Sequence, residues 1–369
     1  MRTPDLNWIK DSRVFQVNRL QAYSDHIYTI GKDKKPSSFS LNGTWKFNLS
    51  KNYDSCFKFF YNTEFNDSNW NDIQVPGHIQ LQGFDNPHYT DVTYPWDGHD
   101  VVKPGQIDMD KNKVYQYRKT FDCPQDFIGN RLILSFEGAE SNIYVWLNGK
   151  FIGYSEDSFT PSRFDITKYT QEKDNVLCVR IFQKCTGTWL EDQDMWRFTG
   201  IFRDVMIYKQ PSLHIQDLKI DTDIDLDTNK SVLSCVCKMS SNESHTLQAK
   251  LYDPQGNIVW NGNMQDTFEI PVENTCLWSS EFPNLYQLEL VLYDTNNEII
   301  ETIQEQVGFR KFTLEYGIMK LNGKRIVFHG INRHEWDPKT GRCLSQEQME
   351  YDIHMLKALN INAIRTSHY

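Results

Sequence analysis

The apolar residues of the chain follow one period over most of its length and a second period near the end. Between residues 39 and 312, short runs alternate apolar and polar positions and are separated by turn residues, which is typical of antiparallel β-structure. The clearest hairpin is NIYVWLNGKFIGY at 142–154, because Asn148-Gly149 supplies the positive φ values of a type I′ turn. With further strands at RLILSF, DNVLCVRIF and FRDVMIY, the pattern predicts a jelly-roll β-sandwich over 39–208.

A second block of about a hundred residues begins at Pro211, which interrupts the first pattern. Its size and the spacing of its turns fit an immunoglobulin-like sandwich, although the disulfide and tryptophan hallmark of antibody domains is missing from the sequence. The predicted strands are HIQDLKI, SVLSCVCKM, TLQAKLYD, YQLELVLYD and EIIETIQ. We therefore predict a jelly-roll domain with an N-terminal arm at 1–210 and an immunoglobulin-like domain at 211–311.

The period changes after Phe312, where a hairpin with its turn at Asn322-Gly323 leads into a strand, a helix and a strand. RIVFHGI and INAIR are the predicted strands, and SQEQMEYDIHMLKAL is the predicted helix. Ser345 and Gln348 form a capping-box pair at the helix start, and Asn360 can end the helix. Met349, Ile353 and Leu356 recur on one face, as expected for a helix packed on a sheet. The three elements make one βαβ unit, which implies parallel strands.

One βαβ unit cannot bury its own faces, so it is expected to belong to a larger fold. His334 and His368 each follow one of its strands, and the C-terminal ends of strands form the active-site rim of a (β/α)₈ barrel. The alternative is that His334 is a polar loop residue and His368 a residue of the chain end. His329, inside the first strand, and His354, on the helix, are expected to have a packing and a solvated role respectively.

The predicted barrel is incomplete. A whole barrel takes about 250 residues, whereas fewer than sixty follow Phe312. The fold class expected from the sequence is therefore mainly β and multidomain: a jelly roll, an immunoglobulin-like sandwich, and a truncated TIM barrel at 312–369.

Composition and charge exclude several functions. Charged residues make up 24% of the 369 residues, the mean hydropathy is −0.60, and no apolar run is long enough to cross a bilayer. The net charge of −10, with scattered lysines and arginines, argues against nucleic acid as a partner. The eight cysteines show no C-x-x-C pair, and the N-terminus lacks the pattern of a secretory signal, so we expect reduced thiols in the cytoplasm. The aromatic content of 14% suits sugar recognition.

Several motifs resemble those of β-galactosidases from glycoside hydrolase family 2. They are VNRLQAYSDH near the N-terminus, VPGHIQLQGFDNPHYTDVTYPW at 75–96, GYSEDSFTPSRFDIT with LEDQDMWRFTGIFRDV, and INRHEWDPKTGR followed by INAIRTSHY. The resemblance covers essentially the whole chain, and it is greatest to the lactic-acid-bacterial form, including the large subunit of two-subunit enzymes. It implies retaining hydrolysis of terminal, non-reducing β-D-galactose from substrates such as lactose. Two glutamates would flank the glycosidic bond about 5 Å apart.

The resemblance also implies roles for particular residues. His334 and His368 would bind sugar hydroxyls and stabilise the transition state, and Asp194 would contact the galactosyl group and ligate sodium. Asp91 stands where the family usually has a substrate-binding asparagine, and an ionised carboxylate accepts hydrogen bonds but cannot donate them. From the residues alone, Asp194 could instead be a loop carboxylate paired with Arg197 or Arg203.

The two catalytic glutamates and the magnesium ligands of the family are expected beyond residue 369. The chain is therefore expected to be inactive by itself, and Glu191 and Glu335 are not candidates to replace the missing pair. In the full protein the resemblance implies a homo-oligomer or an assembly of large and small subunits.

Three other functions remain open from the sequence. A β-glucuronidase or β-mannosidase of the same family would share the architecture. The chain could also be a non-catalytic carbohydrate-binding module, or a fragment that complements a partner. The motifs EDQDMW and YTDVTYPW favour galactose over the first of these.

Overall fold

The computed structural model describes residues 3–24, 26–94, 96, 101–103, 105–191 and 194–367. Strands dominate the chain up to residue 210, and they are β1 (Gln16–Val17), β2 (Tyr28–Ile30), β3 (Lys35–Pro36), β4 (Ser38–Ser40), β5 (Gly43–Ser50), β6 (Asn71–Val75), β7 (His88–Thr90), β8 (Val114–Phe121), β9 (Arg131–Phe136), β10 (Ala139–Glu140), β11 (Asn142–Leu147), β12 (Lys150–Glu156), β13 (Ser162–Asp165), β14 (Asn175–Phe182), β15 (Met195–Arg197), β16 (Gly200–Ile201) and β17 (Val205–Gln210). Short 3₁₀-helices lie at Leu6–Lys10, Gln80–Gln82, Gln125–Phe127, Thr167–Tyr169 and Thr186–Trp189.

Longer strands follow as far as residue 307, and they are β18 (Ile215–Asp225), β19 (Lys230–Met239), β20 (Thr246–Tyr252), β21 (Ile258–Met264), β22 (Thr267–Glu273), β23 (Tyr286–Tyr293) and β24 (Ile299–Val307). The last part of the chain contains β25 (Phe312–Glu315), β26 (Ile318–Leu321), β27 (Lys324–Arg325), β28 (Gly330–Arg333), α1 (Gln346–Ala358) and β29 (Ala363–Thr366). None of the helices in the described part of the chain is long and apolar enough to cross a membrane.

The first sandwich is the predicted jelly roll. A seven-stranded sheet in the order β1-β12-β11-β14-β8-β5-β6 faces a four-stranded sheet in the order β13-β9-β17-β4. One core contains side chains of both sheets, among them Trp45, Tyr117, Leu134 and Ile207. The predicted hairpin is β11–β12, with Leu147 paired with Lys150 and positive φ at both residues of the turn between them. The type I′ prediction is confirmed.

The seven-stranded sheet is buried on both faces near its centre. Every residue of β11 and β14 is buried, although a sandwich strand usually turns alternate residues to solvent. Val145 and Leu147 point into the core between the sheets, whereas Tyr144 and Trp146 belong to a second core that also contains Phe60. The N-terminal 3₁₀-helix and the segment after β5 cover this outer face, and aromatic residues therefore replace polar ones there.

The second sandwich is formed by two sheets and borrows two strands from the N-terminal arm. Its sheets have the orders β18-β19-β22 and β21-β20-β23-β24-β2-β3. The arm strand β2 pairs with β24, so that Ile30 lies opposite Glu301. The sequence analysis missed β21 and β22, although β22 buries every second residue in a regular alternation. The N-terminal arm thus links the two sandwiches.

The βαβ unit is confirmed by the structure. The strands β28 and β29 are parallel, with Gly330 opposite Ala363. The Ser345 hydroxyl accepts a bond from the Gln348 N–H at 3.2 Å, while the Gln348 side chain accepts one from the Ser345 N–H at 2.9 Å. The predicted capping box at the start of α1 is therefore correct.

The first strand of this unit was predicted at the wrong position. Residues 326–329 lie outside any strand, and the strand begins only at Gly330. The Asn362 side chain instead bonds the carbonyl of Val327 and the N–H of His329, at 2.9 and 2.8 Å. His329 is exposed, so its predicted packing role is wrong, whereas the solvated role predicted for His354 is confirmed. The apolar face of α1 is only partly covered, since Leu356 is buried and Ile353 is 45% exposed.

All eight cysteines are free thiols, as predicted. Cys235 and Cys237 lie on the same face of β19 and are buried in the core of the second sandwich.

Glu301 is a buried carboxyl at the junction of the N-terminal arm and the second sandwich. It is 1% exposed and accepts a hydrogen bond from the N–H of Ile215. Burial raises the pKa of its carboxyl to about 7. Because the folded pKa lies above the ordinary value, this group weakens the fold progressively as the pH rises from about 4.5 to 7.

We expect Glu301→Gln to stabilise the protein at pH 8, by up to about 3 kcal/mol in the free energy of unfolding, and to have little effect near pH 4.5. The amide still accepts the Ile215 bond but carries no charge. Urea denaturation at both pH values measures the difference. Glu298→Gln, on the exposed turn before β24, is the control, and an equal gain from Glu301→Gln at both pH values would contradict the interpretation.

Candidate functional site

A two-stranded ribbon of the first sandwich carries both predicted aspartates. The strand β7 pairs antiparallel with β15, and Thr90 lies opposite Met195. Asp91 directly follows β7 and Asp194 directly precedes β15, so both residues lie at the same end of the ribbon. Both are exposed. The structure therefore brings together two carboxylates that are far apart in the sequence.

Tyr89 completes this end of the ribbon, and the sequence analysis missed it. Its hydroxyl donates a hydrogen bond to Asp194 Oδ1. That bond, together with the charges of Asp194 and Asp91, raises the pKa of the Tyr89 phenol. A signal for this residue was present, because positions 89 and 91 are two apart on an extended segment and share a face.

The two arginines proposed as alternative partners of Asp194 bond other groups. Arg197 donates to Thr90 Oγ1 at 3.0 Å and to the carbonyl of Glu191 at 3.1 Å. Arg203 donates to the carbonyl of Phe159 at 2.9 Å. Arg197 thus holds the ribbon to the preceding loop, while the Asp194 carboxylate accepts from Tyr89.

A polar cavity beneath the ribbon is lined by His88, Glu140, Glu191 and Arg197, among other residues. Glu191 accepts hydrogen bonds from the N–H and the hydroxyl of Ser158, both at 2.6 Å. Burial raises the pKa of its carboxyl to about 7. Glu191 therefore joins the loop before Asp194 to the loop of Ser158.

His334 lies at the C-terminal end of β28, as predicted, and is exposed. The strand end is held by Arg333, whose Nη2 is 2.6 Å from Asp352 Oδ2 on α1. The N–H of Ser367 donates to the carbonyl of Arg333 at 3.1 Å, so the end of β29 lies beside the same strand end. His368, the second predicted histidine, lies outside the described residues.

The loop that follows His334 packs against the first sandwich through its tryptophan. Trp336 stacks on Phe198 and on Trp196, with ring centroids 5.6 and 6.2 Å apart and nearly parallel planes. Trp196 belongs to β15, two residues after Asp194. The loop that begins at His334 therefore reaches the strand that begins after Asp194.

The far end of this loop carries a buried arginine. Arg342 Nη2 donates to Glu140 Oε2, and Arg342 Nη1 donates to the carbonyl of Trp196 at 3.0 Å. Arg342 is 5% exposed and Glu140 is 8% exposed. Burial raises the pKa of the Glu140 carboxyl, while the charges of Arg342 and Arg197 act in the opposite direction. The sequence analysis missed this pair because nothing in local sequence indicates which strand a loop arginine will meet.

His78 accepts the backbone N–H of Arg342 at its Nε2, 3.1 Å away. The ring is stacked on Phe198 and Phe202 and is almost fully buried. Burial and the charge of Arg342 both lower the pKa of His78, so the imidazole is neutral. Among the described residues, no group of three or more His, Cys, Asp or Glu side chains could hold a metal ion.

Three domain models of one protein family match consecutive parts of the chain. Residues 39–211 match the sugar binding domain of glycosyl hydrolases family 2, residues 213–310 match glycosyl hydrolases family 2, and residues 312–369 match the TIM barrel domain of that family. Together these matches account for most of the described structure.

Similar proteins bear related names. A β-galactosidase from Halalkalibacterium halodurans is 47% identical over 99% of this chain and 37% of its own length. A β-galactosidase from Streptococcus thermophilus is 41% identical over 98% of this chain and 36% of its own length. The β-galactosidase large subunit of Leuconostoc lactis is 41% identical over 99% of this chain and 62% of its own length. The chain thus spans less than two thirds of these curated relatives.

Solved structures show the same fold. The β-glucuronidase 2 of Bacteroides uniformis superposes with a TM-score of 0.73 at 24% identity, over 90% of this chain and 39% of its own. The β-glucuronidase of Ruminococcus gnavus gives a TM-score of 0.73 at 19% identity, over 95% of this chain and 57% of its own. At these identities the likeness concerns the fold alone.

We expect Glu140→Ala to destabilise the protein by about 3–5 kcal/mol, because it leaves the buried guanidinium of Arg342 without a counter-charge. Urea denaturation measures the loss. The control is Asp72→Ala, whose partner Lys46 is 2.9 Å away in an exposed pair, and which we expect to cost less than about 1 kcal/mol. Equal losses of unfolding free energy in the two variants would show that the buried ion pair contributes no more to stability than the exposed one.

Proposed function

The chain belongs to glycosyl hydrolase family 2, and from this premise we propose that it forms the sugar-binding part of a β-galactosidase. The reaction is the retaining hydrolysis of terminal, non-reducing β-D-galactose from β-galactosides such as lactose. The observation that carries the proposal is the contact between the loop that begins at His334 and the strand β15 that follows Asp194. The names of the similar proteins from three bacterial species support galactose as the sugar.

In this proposal the galactose lies between the ribbon and the barrel rim. Asp91 and Asp194 accept hydrogen bonds from sugar hydroxyls, since an ionised carboxylate offers acceptors alone. His334, together with His368, binds further hydroxyls and stabilises the transition state. Tyr89 and Trp196 are partly exposed beside the aspartates and offer aromatic surface to the C–H faces of the sugar.

We also propose Asp194 as one ligand of a sodium ion. The Asp194 carboxylate is exposed, and the hydroxyl of Tyr89 lies next to it, so the oxygen donors that a hard monovalent cation prefers are present. The ion would supply a positive charge that attracts a sugar hydroxyl oxygen. The remaining sodium ligands, and those of magnesium, are proposed to lie outside residues 1–369.

The catalytic nucleophile and the acid/base are proposed to be glutamates of later barrel strands. Glu191 is bonded to Ser158, and Glu335 lies 3.7 Å from Arg333 and 3.9 Å from Arg203, which supports structural roles for these two carboxylates. A polypeptide of residues 1–369 therefore lacks both the covalent and the proton-transfer step.

The assembly proposed for the full protein is either a homo-oligomer or a large subunit with a small one. The β-galactosidase large subunits of Leuconostoc lactis and Latilactobacillus sakei are 41% and 39% identical to the chain, which supports the second arrangement. The eight free thiols suit a reducing compartment, and we propose the cytoplasm.

We expect the full-length protein that carries this chain to hydrolyse aryl β-galactosides far faster than aryl β-glucuronides or β-mannosides. The polypeptide of residues 1–369 should show no turnover. Release of the chromogenic aryl group measures both. A preference for the glucuronide would contradict the galactoside proposal, and turnover by residues 1–369 would contradict the assignment of the catalytic glutamates to other residues.

We expect Asp194→Asn to abolish the dependence of galactoside hydrolysis on sodium and to lower kcat/KM by at least about tenfold, because the amide keeps an acceptor for Tyr89 but has no charge. Activity is measured against sodium concentration at constant ionic strength. Asp91→Asn is the matched control, since it neutralises the neighbouring carboxylate and should leave the sodium response in place. Loss of the sodium response in both variants would show that total charge, rather than Asp194, is responsible.

A further inference from the structure

Arg342 connects two domains through one guanidinium group. It lies at the end of the loop that begins at His334, and its Nη2 donates to Glu140 on β10 while its Nη1 donates to the carbonyl of Trp196 on β15. The second acceptor is a backbone atom of the strand that Asp194 precedes. A single side chain of the barrel domain therefore bonds the strand that directly follows Asp194.

The surroundings of Arg342 leave it little freedom. Its guanidinium carbon lies 5.4, 5.4 and 5.5 Å from the ring centroids of Phe159, Phe198 and Phe202. Its backbone N–H donates to the buried, neutral ring of His78. Replacing a buried ion pair by apolar residues often leaves stability unchanged or increases it, so stability alone does not explain a buried arginine here. The planar fork of arginine, by contrast, fixes two acceptors in one geometry.

The loop is also held at its other end. Before His334, Arg333 bonds Asp352 on α1 through both Nε and Nη2, at 3.0 and 2.6 Å. Within the loop, Trp336 stacks on Phe198 and Trp196 of the first sandwich. His334 is thus carried by a loop that is fixed to the barrel on one side and to β15 on the other.

We propose that Arg342 is a positioning residue that sets the place of His334 relative to Asp194 across the domain boundary. In this role it acts through Trp196 on one side and through the loop of His334 on the other, and not through the sugar itself. The inference rests on the proposed function, because it assumes that His334 and Asp194 bind the same sugar.

The test is Arg342→Lys in the full-length protein, since lysine keeps the charge but cannot hold two acceptors in a fixed fork. The matched control is Arg118→Lys. Arg118 is equally buried, at 5% exposed, and bonds Asp67 at 2.7 Å and the carbonyls of Phe60 and Asn62, all away from the domain boundary. Each variant is assayed for Tm, for kcat/KM on an aryl galactoside, and for the sodium concentration that gives half-maximal activity.

We expect similar losses of Tm in the two variants but different kinetics. Arg342→Lys should lower kcat/KM by roughly 10- to 100-fold, because small misplacements of binding groups have effects of that size. It should also raise the sodium concentration for half-maximal activity, since Trp196 lies close to Asp194. Arg118→Lys should leave the sodium response unchanged.

A second variant covers the possibility that Arg342→Lys does not fold. The double change Glu140→Leu with Arg342→Met removes the ion pair without leaving an unpaired charge, and it should keep Tm near that of the parent while losing kcat/KM. Two results with an active parent would overturn this inference and leave the proposed function intact. One is that Arg342→Lys matches Arg118→Lys in kinetics, and the other is that the double variant keeps full kcat/KM. A parent inactive on aryl galactosides overturns both.

Discussion

The buried pair of Arg342 and Glu140 is the interaction on which the candidate site depends, because the site has no single domain to support it. Asp91 and Asp194 lie on a ribbon of the first sandwich, whereas His334 lies at the end of a barrel strand. Two domains joined by a chain are expected to move relative to each other unless a large, apolar interface holds them together. Here a guanidinium enclosed by aromatic rings, with acceptors on β10 and β15, restricts that motion.

The first sandwich provides the rigid side of this interface. Its central strands β11 and β14 are buried on both faces, so the seven-stranded sheet is covered by the second sheet on one side and by the N-terminal 3₁₀-helix on the other. Close packing of this kind gives few alternative arrangements. The ribbon is tied to this body through Arg197 and Glu191, whose bonds reach Thr90 and Ser158. The exposed aspartates are thus presented by a well-fixed support.

Local sequence patterns predicted those structural elements that are formed by residues close together in the chain. The Asn148-Gly149 turn, the capping box of Ser345 and the parallel βαβ unit follow from a few adjacent residues, and each is confirmed. The motifs also indicated Asp91 and Asp194, which the structure brings to one end of a ribbon. Long-range pairings could not be predicted this way. The alignment of β2 with β24, and of Arg342 with Glu140, depends on how separate domains meet. The backbone of Val327 and His329 likewise bonds the side chain of Asn362, more than thirty residues later in the chain.

Burial shifts the pKa values of two groups near the candidate site, and the two shifts affect stability in opposite senses as the pH changes. The pKa of His78 is lowered, so the folded state binds fewer protons at this residue, and its contribution to stability is lost as the pH falls below about 6.5. The pKa of Glu191 is raised to about 7, so its contribution is lost as the pH rises from about 4.5 to 7. Both windows include mildly acidic pH, and the two slopes partly cancel there. At mildly acidic pH the stability that is lost at His78 is therefore partly offset by Glu191, because its raised pKa favours the folded state in acid.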